Sequence, residues 1–173
     1  YQVVNSSLAL MAMELIDPTH EIGLETRLAG IKKTRWAGRM ETVLPGVVLD
    51  GAHNEDGIAQ FVKTVQGVPG EKKVVMLFAA VVEKNFEKMI QTIAEQAAPD
   101  AIVVTEIKGS RNEPAEELGR IFRKYTKAPV TVIADNEEAF DEALKEKGAD
   151  GVLFCAGSLY LVGELKKILN NRK

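Results

Sequence analysis

From Met40 onward, short unbroken apolar runs alternate with segments whose apolar residues recur every three or four positions. Val47-Val48-Leu49-Asp50 reads as a strand, and Ile58, Phe61, Val62 and Val65 as the stripe of a following helix. Lys73 to Phe78 leads into Phe86, Met89, Ile90 and Ile93, and Ala101 to Ile107 into Leu118, Ile121, Phe122 and Tyr125. Val130 to Ile133 leads into Ala139, Phe140, Ala143 and Leu144, and Gly151 to Cys155 into Leu161, Leu165, Ile168 and Leu169. Strands that are apolar throughout need cover on both faces, which a mostly parallel sheet between helices provides. Repeated about five times, the pattern predicts an open α/β domain of Rossmann-like type, with helices on both faces. Gly67-Val68-Pro69-Gly70, Pro99-Asp100, Ala128-Pro129 and Gly148 punctuate the units.

The first 33 residues read differently. Leu8, Met11, Ala12 and Leu15 mark one face of an amphipathic helix from about Asn5 to Ile16, which Asp17-Pro18 stops. Glu21 to Lys33 is a second, weaker helical stretch. Residues 1–33 are expected to be the tail of a preceding domain plus a linker, and residues 34–173 the α/β domain. The chain opens at Tyr1, not at methionine, so a fragment of a longer protein is expected.

Composition narrows the function classes. With 173 residues, 46% of them hydrophobic, the chain can bury a core without staples. Its single cysteine, Cys155, rules out a disulfide framework or a Cys-based zinc site and fits a reducing cytoplasm. A net charge of −3 argues against a nucleic-acid partner, although a local basic patch can hide within it. No apolar run approaches the roughly 20 residues of a membrane span, and no signal peptide is visible.

Ligands of open α/β sheets bind beyond the carboxyl ends of the strands, so four loops matter. In Asp50-Gly51-Ala52-His53-Asn54, Asn54 can cap the next helix and His53 sits at the ligand edge, suited to phosphate contact, acid–base work or hydrogen bonding. A helix cap beside an incidental surface histidine explains the string equally well. In Arg35-Trp36-Ala37-Gly38-Arg39-Met40-Glu41, arginine suits phosphate or carboxylate. Trp36 reads rather as a packing anchor, and Arg39 beside Glu41 as a surface ion pair. In Ala79-Ala80-Val81-Val82-Glu83-Lys84-Asn85, a cap with solvated charges competes with a ligand-binding Lys84, whose charge is unfavourable at a helix start. In Gly157-Ser158-Leu159-Tyr160, Ser158 is a plain N-cap or part of an anion site at a helix start. Arg111 is a further candidate for a carboxylate.

The chain carries no G-x-x-x-x-G-K-[ST] phosphate loop, no G-x-G-x-x-G fingerprint and no G-x-S-x-G elbow. His20 and His53 are its only histidines, too few for a multi-histidine metal site. A ligand-binding edge without self-sufficient catalytic machinery is expected.

Taken together, the loops resemble one family. Arg35 to Glu41 is similar to the W-P-G-R-x-E segment of folylpolyglutamate and dihydrofolate synthases, Leu49 to Asn54 to their L-D-G-A-H-N motif, and Gly157 to Glu164 to their G-S-L-Y-L-V-G-E segment. Gln2 and Asn5-Ser6-Ser7-Leu8-Ala9 resemble the H-Q-x-x-N-A-x-x-A helix that closes the family's ATP-binding domain. The similarity covers essentially the whole chain and implies the carboxy-terminal domain of a Mur-ligase-superfamily enzyme. Such enzymes resemble one another in using ATP to phosphorylate a carboxylate and then adding an amino acid to the acyl phosphate. Here the acceptor would be dihydropteroate or a folate γ-glutamyl tail and the amino acid L-glutamate. The Walker loop and the Mg2+ ligands would lie in the amino-terminal ATPase domain, the expected partner of this one, in a monomeric cytoplasmic enzyme.

Carried over by position, Asn5, Arg39, Asp50 and Lys84 would contact ATP, and His53 would act at the reacting centre. Ser158 and Arg111 would meet substrate carboxylates. The chain departs from the family at Ala37, where proline is usual, and at Tyr1, where histidine is usual. Val82-Glu83-Lys84-Asn85 stands in place of a K-D-K-D-like string, so Lys84 carries over less well than Asp50 or His53. The rival readings are another Mur-type ligase, for peptidoglycan precursors or cyanophycin, and a non-catalytic α/β module that senses a nucleotide or amino acid.

Overall fold

The structure, a computed structural model, describes residues 2–82, 85–109 and 113–172. The chain divides into two compact units, Tyr1–Ala37 and Gly38–Lys173.

The first unit holds α1 (Gln2–Ile16) and α2 (Leu24–Lys33). Its organising group is the buried Arg27. The guanidinium donates to the Ile22 carbonyl at 2.7 Å and to Asp17 Oδ2 at 2.8 Å, and it also pairs with Glu14. These bonds tie the second helix to the end of the first; the Ile22 amide, which donates to Asp17 Oδ2 at 2.8 Å, and then Arg27 and the Glu21 amide hold the Asp17 carboxyl below its ordinary range. Leu8, Met11 and Leu15 do form one stripe of α1, yet all three side chains are exposed. Trp36, expected to anchor, is 70% exposed.

The second unit is built on one sheet with strand order β1-β2-β6-β3-β4-β5. The strands are β1 (Glu41–Leu44), β2 (Val47–Leu49), β3 (Val74–Phe78), β4 (Ala101–Val104), β5 (Val130–Val132) and β6 (Val152–Ala156). All pairings are parallel except β1 with β2, a hairpin turning at Pro45-Gly46. The helices are α3 (Glu55–Val65), α4 (Phe86–Thr92, continued by a π turn over Ile93–Ala97), α5 (Ala115–Tyr125), α6 (Asn136–Lys147) and α7 (Leu159–Asn171).

The unbroken apolar strands are explained by two core layers. On β3, Met76 and Phe78 point into one layer and Val75 and Leu77 into the other; β4 and β6 divide the same way. Stripes from α3, α4 and α5 fill the first layer, and those from α6 and α7 fill the second. Phe61 meets Phe154 edge to face at 5.7 Å, and Phe78 meets Phe122 likewise at 5.4 Å, a geometry aromatic quadrupoles favour.

Two differences from the sequence reading have local causes. β1 is an edge strand whose residues alternate between partly buried and exposed, so it lacks the unbroken apolar run. Residues 105–107 leave the sheet, because β5 ends at Val132 and the Thr105 hydroxyl turns to the Ala134 carbonyl at 3.1 Å.

Candidate functional site

Strand β6 lies between β2 and β3. The chain leaves β2 and β3 toward helices of one layer, and leaves β6 toward α7 in the other. Neighbouring strands that part to opposite faces open a crevice at their carboxyl ends, where open α/β sheets bind ligands. Asp50, Ala79 and Gly157 are the residues that follow these three strands.

Asp50 is 2% exposed. Its own amide donates to the Cys155 carbonyl at 2.9 Å, continuing the parallel ladder. Its carboxylate accepts the Met40 amide on Oδ2 and the Ala52 amide on Oδ1, each at 2.8 Å. Burial pushes this carboxyl above its ordinary value, while the two amides and the nearby Arg39 charge pull the other way. Both oxygens therefore brace the chain from within, and Asp50 shapes the loop that carries His53.

His53 is half-buried, with Nδ1 2.7 Å from the Gly51 carbonyl. A carbonyl only accepts, so Nδ1 carries the hydrogen, and in the neutral ring Nε2 is left with its lone pair. Asn54 caps α3 as expected, Oδ1 accepting the Gly57 amide at 2.7 Å.

The Arg39 turn is locked from three sides. Gly38 has φ 68° and Met40 φ 46°, so a left-handed residue stands on each side of the arginine. Glu41 Oε2 accepts the Gly38 amide at 2.7 Å, Asp50 accepts that of Met40, and the Gly51 amide donates to the Gly38 carbonyl at 2.6 Å. Arg39 itself is exposed. The expected Arg39–Glu41 pair is absent among the described residues: Glu41 is taken by Lys166, whose Nζ lies 2.8 and 3.0 Å from its two oxygens. Lys166, with the Gly38 amide, holds the Glu41 carboxyl below its ordinary range.

Gly157 has φ 105°, and a side chain there would run into the Ala79 carbonyl and the Phe78 ring. Its amide donates to the Ala52 carbonyl at 2.8 Å, tying this loop to the one that carries His53. Ser158 is 2% exposed and caps α7, Oγ accepting the Tyr160 amide at 3.1 Å, which leaves the hydroxyl hydrogen to give. Tyr160 is exposed at the same edge. In the loop after β3, Asn85 donates to Glu55 at 2.9 Å.

The structure thus brings together Arg39, Asp50, His53 and Ser158. Asn5 is exposed on α1, in the other unit. Lys84 and Arg111 lie outside the described residues. Cys155 is fully buried, and burial pushes its thiol well above the ordinary value, which leaves it inert. The sequence reading missed Lys166 altogether, since no local pattern signals a partner 125 positions from Glu41.

The profile of the Mur ligase, glutamate ligase domain, matches residues 38–159. The dihydrofolate synthase/folylpolyglutamate synthase of Bacillus subtilis is 27% identical over 98% of this chain, which spans 39% of that protein. A probable bifunctional folylpolyglutamate synthase/dihydropteroate synthase of Haloferax volcanii is 30% identical over 96% of the chain, which spans 19% of it. Among solved structures, E. coli FolC in complex with DHPP and ADP superposes with a TM-score of 0.85 at 20% identity, over 97% of this chain and 39% of that one.

Proposed function

This chain belongs to the Mur ligase family as its glutamate ligase domain, and from that premise we propose that it is the carboxy-terminal part of an ATP-dependent folylpolyglutamate or dihydrofolate synthase. The observation that carries the reading is the meeting, at one sheet edge, of the Arg39 turn, the Asp50–Asn54 loop and the Ser158-capped start of α7. The enzyme would join L-glutamate to dihydropteroate or to a folate tail, with ATP supplying the phosphoryl group that activates the acceptor carboxylate.

Each residue has work in this scheme. Arg39, fixed at its backbone and exposed at its side chain, neutralises nucleotide phosphate. Asp50 holds the two loops that flank the crevice. His53, its tautomer set by Gly51, offers Nε2 to a proton in transit at the reacting centre. The Ser158 hydroxyl and the amides at the start of α7 favour a substrate carboxylate. By resemblance, Lys84 and Asn5 join the nucleotide contacts, and Arg111, by the chemistry of its side chain, joins the carboxylate contacts.

By resemblance, the ligands for Mg2+ would lie in the amino-terminal ATPase domain; among the described residues no group of three or more Asp, Glu, His or Cys could hold a metal ion. That domain is also the partner for the exposed apolar stripe of α1, with residues 1–33 as its end and linker and 34–173 as the ligase domain. Closure of the two around substrate would complete the site. No helix among the described residues is long and apolar enough to cross a membrane, and the cytoplasm suits the substrates.

The test is ATP- and dihydropteroate- or tetrahydrofolate-dependent incorporation of labelled glutamate by the full-length enzyme. His53→Ala should cost at least about tenfold in kcat/KM, or about 1.4 kcal/mol, with stability changed by no more than about 0.5 kcal/mol because the side chain is half-exposed. Activity untouched by His53→Ala removes the catalytic assignment. A folded, full-length protein inert with every folate turns the choice to another Mur-type ligase or to a binding module.

A further inference from the structure

We infer that Lys166 is a positioning residue for Arg39, acting through Glu41. The inference rests on the reading that Arg39 meets nucleotide phosphate, and the geometry that carries it is independent of that reading.

Helix α7 grips the turn at two rungs of one face. Val162 and Lys166 are four residues apart, so they lie one above the other. At the upper rung, a Cβ on Gly38 would stand 2.8 Å from Cγ1 of Val162, so the backbone of the turn is pressed against the helix. At the lower rung, Lys166 holds both oxygens of Glu41, and Oε2 of that carboxylate accepts the Gly38 amide at 2.7 Å. The lysine thereby fixes the acceptor that fixes the turn.

A fixed acceptor is needed because the turn is not a relaxed one. Met40 holds φ 46°, a conformation that L-residues other than Asn and Asp adopt rarely. Left to itself, the segment would relax toward extended or right-handed geometry and carry Arg39 with it. Glu41 on one side and Asp50 on the other hold the two flanking amides. Asp50 is buried and braced by its own loop, whereas Glu41 and Lys166 are each about one-third exposed. An ion pair that open to water adds little to overall stability. Its effect is therefore expected mainly in the aim of the arginine, with only a small change in stability.

The experiment measures kcat and KM for ATP on the full-length enzyme as wild type, Arg39→Ala, Lys166→Met, Lys166→Arg and the Arg39→Ala/Lys166→Met double variant. Amide hydrogen exchange over Gly38–Glu41 is followed on the same proteins without nucleotide. Lys166→Met should raise KM for ATP about fivefold with a smaller change in kcat, and Lys166→Arg should recover most of it. The double variant should be no worse than Arg39→Ala alone, since removing the arginine removes what the lysine positions. Multiplicative losses in the double variant, or an unchanged KM in Lys166→Met while Arg39→Ala raises it, overturn the inference. If Arg39→Ala leaves KM unchanged, the nucleotide role of Arg39 falls by itself. Exchange then decides the positioning: faster exchange in Lys166→Met but not in Lys166→Arg upholds it, and equal exchange overturns it.

Discussion

Asp50 accepts the amide hydrogen of Met40 at 2.8 Å while Met40 stands at φ 46°, so a buried carboxylate holds a left-handed residue ten positions back along the chain. The other oxygen serves Ala52. Asp50→Ala leaves two amides without their acceptor, and a buried donor left unpaired costs about 1–3 kcal/mol. Relief of the desolvated charge offsets part of that, so a net loss of about 2 kcal/mol is expected. Urea unfolding of the variant checks it, and a midpoint equal to wild type would show that water replaces the carboxylate.

The pH dependence of stability separates the two carboxylates of this turn. Glu41 has a folded pKa below its ordinary 4.5, through Lys166 first and the Gly38 amide second. Its contribution is therefore complete above that value and lost as the pH falls through the lower folded pKa. Asp50 has the opposite sign: its folded pKa is raised above the ordinary 3.8. Its titration favours the folded state below that value, and the advantage disappears as the pH rises through the folded pKa. Unfolding midpoints of wild type and Glu41→Gln, compared from about pH 7 to about pH 3, should converge at the acid end. A constant gap would mean that the Lys166 pair does not depend on the charge of Glu41.

Gly157 bears the sharpest steric demand at the site. With φ 105° and the Ala79 carbonyl where a side chain would stand, Gly157→Ala meets both backbone strain and a clash with the next strand. Strained backbone alone costs about 1–3 kcal/mol, so a loss of about 3 kcal/mol or more is expected. Thermal unfolding checks it; a loss under about 1 kcal/mol would mean that the loop can move away from β3.

What was legible in the sequence follows from burial. β3, β4 and β6 are covered on both faces and so appear as unbroken apolar runs, which gave away the parallel sheet and its helices. β1 sits at the edge with half its residues facing water, and nothing in Glu41-Thr42-Val43-Leu44 sets it apart from a loop except the Pro-Gly turn that follows. At the site, Asp50, His53 and Ser158 were readable because each lies within a few residues of the backbone it serves. Arg39 was readable as a ligand candidate, yet its support was not. The neighbouring Glu41 suggests a local ion pair, whereas the fold hands that carboxylate to Lys166 from the far end of the chain. The apolar stripe of α1 was equally plain, but periodicity says only that a face is apolar, not what covers it.

At Asn85 the family's K-D-K-D-like string leads one to expect an acid. Here the amide donates to Glu55 Oε1 at 2.9 Å, linking the start of α4 to the first turn of α3, directly after the loop that carries His53. An aspartate at 85 would set two carboxylates within hydrogen-bonding distance of each other. Both groups are exposed, so the penalty is small, about 0.5 kcal/mol, and it should vanish when Glu55 is neutralised. Asn85→Asp, Glu55→Gln and the double variant form a cycle in which the double variant is expected to be more stable than the sum of the single effects. Because like charges in water are screened, raising salt from about 0.05 M to about 0.5 M should erase the Asn85→Asp penalty as well. Additive losses that ignore salt would show that the Glu55–Asn85 contact does not hold in solution. The two loops would then be set independently, and His53 would be placed by the Gly51 carbonyl and the α3 cap alone.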